Sequence, residues 1–185
     1  AILTAGLNEP GAALPDRPAT TWVGGRLNGT KIAVPYAEQA TWILVTTDSG
    51  AVVVSPKADG VRLIATPSST GAPEYAVTFS DVDVDADADA VLEGSTAQRV
   101  NHLVLGTVGA YAAGLVAGAV RLTADYVTNR HQFGRPLATF QAVSAQLAEI
   151  YIASRTLDLI STSAIWRLTE GRDADGDLDV LGYWL

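Results

Sequence analysis

Apolar residues are spaced in two different ways along this chain. Over roughly the first half they alternate with polar ones or come in short β-branched runs; from Ser95 on they fall three and four apart. "TTWVGGRLNGTKIAVPYA" predicts two strands joined at Asn28-Gly29, a hairpin dipeptide. "TWILVTT" and "AVVVSP" are two more, parted by the turn residues Asp48, Ser49 and Gly50. "VRLIATP" and "EYAVTFSDVDV" follow, the latter with Tyr75, Val77 and Phe79 at period two. Short strands with regular turns predict a small antiparallel sandwich or barrel.

In the second half, Ser95 or Thr96 caps a long helix running to about Asn129, and Pro136 suits the first turn of the next. Phe140, Val143, Leu147, Ile150, Leu157, Ile160, Ala164 and Leu168 then trace one bundle face, with Ser154 and Ser161 as small fillers. Residues 170–177, "EGRDADGD", form a turn before a third helix. Between the halves runs "DVDVDADADAVLEG"; it lacks the mid-loop glycine and closing glutamate of a calcium loop, so it reads as a solvated linker. The fold class is α+β, with a β domain over 1–92 and the first helices of a bundle over 93–185. The helical stripes are too long to bury against each other alone, so more helices or another subunit must cover them.

Composition narrows the function. A net charge of −8 and a pI near 4.6 argue against a nucleic-acid partner, which needs clustered cations. There is no cysteine, so disulfides and thiolate chemistry are excluded, and two histidines are too few for a histidine metal site. The uncharged run Leu103–Val120 reaches the length of a membrane span, yet its Ala, Gly and Val also describe a helix packed closely in a bundle, which is the expectation adopted. No secretory signal is visible and no methionine occurs; the expectation is a cytoplasmic protein of which this chain is a piece.

One stretch asks for chemistry. "YVTNRHQFGRPLATFQ" places Arg130, His131, Gln132 and Arg135 around a Phe-Gly pair, more donors than a helical connection needs. The turn alone leaves two readings open: surface charge with an aromatic plug, or a ligand-binding corner. "RHQFGRPLATFQAVSAQLAEI" resembles the acyl-CoA dehydrogenase family, through Arg130, Phe133, Gly134, Leu137, Gln141, Leu147 and Ala148. "LNEPGAALPD" is similar to that family's T-E-P-x-A-G-S-D loop through Glu9, Pro10, Gly11, Ala12 and Asp16. "RLNGTKIAVPYAEQATW" resembles its N-G-x-K hairpin, and "VTFSDVDVDADADAVLEG" its F-x-D-V-x-V segment. Four motifs stand in the family's order.

The resemblance implies FAD, held at a subunit boundary, and α,β-dehydrogenation of an acyl-CoA thioester in a homo- or hetero-oligomer, a tetramer, with electron-transfer flavoprotein as acceptor. It implies that Arg130 grips the pyrophosphate of a neighbour's flavin, with Phe133, Phe140, Gln132 and Gln141 around the adenosine, and that Leu7 and Asn8 meet the isoalloxazine. Leu14, His102 and Leu105 fall where the family meets substrate. Several departures qualify this. Ala33-Val34-Pro35 stand opposite the family's Trp-Ile-Thr, and Pro35 has no N–H to donate. Ala13-Leu14 replace Gly-Ser. Val104 and Leu105 occupy places where some members carry a catalytic glutamate and an arginine, and Glu149 lies outside both family positions for the base. No catalytic base is expected within these residues. The expectations are a degenerate subunit of a heteromeric, steroid-degrading enzyme, a homotetramer with its base beyond residue 185, or a non-enzymatic interaction protein.

Overall fold

The strands are β1 (Leu3–Gly6), β2 (Thr21–Val23), β3 (Arg26–Pro35), β4 (Trp42–Thr47), β5 (Gly50–Val54), β6 (Val61–Thr66), β7 (Glu74–Asp83) and β8 (Val91–Glu93). They come from a computed structural model that describes residues 1–84 and 91–185. One sheet has the order β1-β4-β5-β8, the other β2-β3-β7-β6. Every pairing is antiparallel except β1 with β4, where Leu3 lies opposite Trp42. Inward residues of both sheets form one core: Leu27 and Val34, Ile43 and Val45, Val52 and Val54, and Tyr75, Val77, Phe79 and Val82. The chain divides into two compact units, Ala1–Asn101 and His102–Leu185.

The expected hairpin at Asn28-Gly29 is corrected. The reversal between β2 and β3 is at Gly24-Gly25, both at positive φ, and Asn28-Gly29 lies inside β3 where the register with β7 slips. The pair serves that bulge. Asn28 Oδ1 accepts the Asp81 amide at 2.8 Å, while Gly29 sits at φ 146, where a Cβ would fall 2.6–2.8 Å from Thr20. β1 and β8 escaped the reading because strands of four and three residues carry too little periodicity. Asp81 and Asp83 close β7 within reach of Arg26, at 3.9 and 3.6 Å. The linker reading of residues 85–90 lies outside the described residues.

The helices are α1 (Thr96–Asn129), α2 (Gln141–Thr169) and α3 (Asp175–Trp184). The expected start of α2 at Pro136 moves to Gln141. Two short strands, β9 (His131–Gln132) and β10 (Arg135–Pro136), pair across Phe133-Gly134, which holds Pro136 extended at ψ 143; a 3₁₀ turn, Leu137–Thr139, follows. The turn before α3 ends at Ala174, earlier than residue 177, because Asp175 and Asp177 suit the positive end of a helix.

The core of the second unit is Ala113, Leu157, Ala164, Ala174, Leu178 and Leu181. Ser154 and Ser161 are buried on the α2 seam, but its first half is open, with Ile150 41% exposed. Small residues on α1 allow close approach: a Cβ at Gly109 would stand 2.6 Å from Leu181. α1 is long and apolar enough to cross a membrane by length and composition.

Candidate functional site

In the first unit the residues from Leu7 to Thr20 form a loop fastened at its base by a buried ion pair. Lys31 on β3 has no exposed surface and donates to Glu9 Oε1 at 2.8 Å and to Thr46 Oγ1 at 3.1 Å. Glu9 also accepts the Ala19 amide at 2.7 Å, the Thr20 amide at 2.9 Å and the Thr20 hydroxyl at 2.6 Å. Burial pushes the Glu9 carboxyl up, but the Lys31 ammonium, the Thr20 hydroxyl and the two amides outweigh it and hold it at about 2. Burial draws Lys31 below the ordinary lysine range, against the pull of Glu9. Glu9 and Lys31 belong to different sequence motifs, and the fold makes them partners. Gly29 leaves the room for Thr20 to reach this cluster.

Leu7 is buried, and Asn8 is half-buried. The Asn8 backbone carbonyl accepts the Ile32 amide at 2.9 Å, and its Oδ1 accepts the Leu14 amide at 3.1 Å. The side-chain acceptor of Asn8 is thus engaged within its own loop. At the end of β3, Val34 belongs to the sheet core, Ala33 sits at φ 51, and the Pro35 carbonyl accepts from Thr4 Oγ1 at 2.6 Å. This segment offers no aromatic face.

In the second unit, the α1–α2 corner presents its donors outward. Arg130, Gln132 and Phe133 are exposed, Phe133 to 92%. A ring left so bare on a loose loop would mean little, but this one is on a pinned turn. Phe133 and Gly134 take φ 55 and 79 between paired strands, and the Leu137 amide donates to the Arg130 carbonyl at 2.8 Å. Among the described residues Arg130 makes no ion pair, so its fork is free for an anion. Phe140 meets Phe133 edge-on with centroids 6.2 Å apart, and the Arg135 guanidinium lies 4.1 Å above the Phe140 ring. Arg135 fills no motif position, and a cation–π contact to a ring a few residues further along the chain leaves no spacing signal. Gln141, the first residue of α2, is exposed beside them.

His102 and Leu105 have packing partners. His102 Nε2 lies 3.6 Å from Asp175 in the first turn of α3, and Leu105 packs against the core of its unit. Glu149 is on the surface of α2.

A two-sheet β unit and a helical unit whose connecting corner displays an arginine and a bare phenyl ring define a class, and the comparisons give it a family. The family model described as "Acyl-CoA dehydrogenase, C-terminal domain" matches residues 105–184. Acyl-CoA dehydrogenase FadE28 of Mycobacterium tuberculosis is 66% identical over 184 residues, covering all of this chain and 54% of that protein. The crystal structure of the ChsE4-ChsE5 complex from Mycobacterium tuberculosis superposes with a TM-score of 0.83 at 32% identity, over 99% of this chain and 51% of that one. A variant of the Tcur3481-Tcur3483 steroid ACAD gives 0.81 at 31% identity, over 98% and 51%. The chain belongs to the acyl-CoA dehydrogenase family. It spans about half the length of the relatives it matches.

Proposed function

We propose that this chain is part of a subunit of an FAD-dependent acyl-CoA dehydrogenase that acts as a heteromer on a steroid side-chain CoA thioester. Its α1–α2 corner would complete the flavin site of a partner subunit, which supplies the glutamate base. The observation that carries this reading is the pinned, outward-facing Arg130 and Phe133, 92% exposed in the latter case. An anion-binding fork beside an aromatic face fits the pyrophosphate and adenosine end of the dinucleotide, with Gln132, Phe140 and Gln141 adjacent. FAD, when bound, supplies the two-electron acceptor for the dehydrogenation.

The chain's own flavin-facing segment fits the cofactor less well. Leu7 is buried, the acceptor of Asn8 is engaged by Leu14, and Ala33-Val34-Pro35 provides neither a ring nor a donor at Pro35. This imbalance, together with the two-subunit names of two similar solved structures, favours a heteromer, a tetramer, over a homotetramer. Leu14, His102 and Leu105 are the proposed substrate-side residues. Electron-transfer flavoprotein is the proposed electron acceptor and the cytoplasm the proposed location. α1 is read as a bundle helix, supported by its close contact with Leu181.

Purification of the intact subunit with and without its partner tests the proposal. The subunit alone should be colourless and inactive, and the assembled pair yellow and active towards acyl-CoA. A yellow, active sample from the single subunit would favour the homotetramer.

A further inference from the structure

Arg135 has no carboxylate partner among the described residues, although acidic side chains outnumber basic ones by 20 to 12. What it has instead is a ring. Its guanidinium lies 4.1 Å from the centroid of Phe140, and Phe140 stands edge-on to Phe133 with centroids 6.2 Å apart. The backbone brings all three groups together. Arg135 pairs with Gln132 across the hairpin, and Phe133 takes φ 55 at its tip. The Phe140 amide donates to the Leu137 carbonyl at 3.0 Å, which fixes Phe140 at the entrance of α2. Phe140 is half-buried, whereas Phe133 and Arg135 are exposed. An exposed phenyl ring samples its rotamers unless a neighbour restrains it. Phe140 is the neighbour here, and Arg135 covers Phe140.

We propose that Arg135 is a positioning residue for ligand binding at this corner: it holds the Phe140 ring, and through it the outward Phe133 ring, in the orientation against which a planar base would stack. The inference rests on the flavin reading for the identity of the ligand, and on the ring geometry alone for the relay. Closing the hairpin does not call for a guanidinium, because the pairing of β9 with β10 and the Leu137 amide on the Arg130 carbonyl already close it. Direct phosphate binding is the competing role for Arg135, and additivity separates the two.

The test measures FAD affinity of the intact subunit assembled with its partner. Arg135→Gln keeps the reach and removes the cation; Arg135→Lys keeps a cation for the ring. FAD should bind about three- to fivefold more weakly to Arg135→Gln, with Arg135→Lys within about twofold of wild type. In a Phe133→Ala background, Arg135→Gln should cause no further loss. Equal losses in both backgrounds would overturn the proposal and mark Arg135 as a direct phosphate contact. A fluorine label on the Phe133 ring reads the relay in the intact subunit without FAD. Its resonance should move in both Arg135→Gln and Phe140→Leu. An unmoved resonance would overturn the relay itself. A moved resonance together with unchanged FAD affinity in Phe133→Ala defeats the flavin reading instead, and the positioning role with it.

Discussion

Lys31 is a fully buried lysine, and its energetics turn on one partner. With Glu9 at 2.8 Å the pair is tolerated; with either charge alone the other is stranded in the sheet interior. Lys31→Met is therefore expected to destabilise the β unit by about 3–5 kcal/mol. The double variant Glu9→Gln with Lys31→Met should lose less than the sum of the single losses, as read by chemical denaturation of all four proteins. The acid limb follows from Glu9. Its carboxyl is held at about 2 in the folded state against an ordinary 4.5, so its contribution is complete above pH 4.5 and is lost as pH falls from there towards 2. Glu9→Gln should flatten the stability profile in that window and, by removing the carboxylate that supports the Lys31 ammonium, steepen the loss of protonated Lys31 at higher pH. Gly29 is the third member of this neighbourhood. Gly29→Ala at φ 146 drives a methyl into Thr20 and is expected to cost roughly 2 kcal/mol or more, measured by the same denaturation.

Elements with enough length were legible in the sequence. The strands from β4 to β7 and the span of α1 follow from period and from turn residues, because each runs long enough for its pattern to repeat. What was not legible is where local chemistry serves a tertiary purpose. Asn28-Gly29 reads as a reversal but makes a bulge; Pro136 reads as a helix start but belongs to a two-residue hairpin. The site shows the same division. Arg130 and Phe133 stood out by residue type at a turn, whereas Thr20 and Thr46 carry no motif and gain their roles only through contacts made by the fold. Packing of the helices gives a prediction at this scale. Gly109→Val places a branched side chain against the fully buried Leu181, and should lower the stability of the helical unit by about 1–3 kcal/mol in thermal unfolding.

On the scale of the whole molecule, the open first half of the α2 seam and the outward corner point to an assembly. Ile150, Tyr151 and Ile152 are exposed on α2, and Phe133 stands at its head, so much apolar surface asks for cover. The central claim is that this corner serves a flavin held mainly by another subunit. FAD affinity of the assembled complex, measured with wild-type protein and with Arg130→Ala, tests it most directly. Loss of a charge-assisted contact to pyrophosphate predicts an affinity weakened by roughly 10- to 100-fold with the assembly intact. An unchanged affinity would contradict the claim.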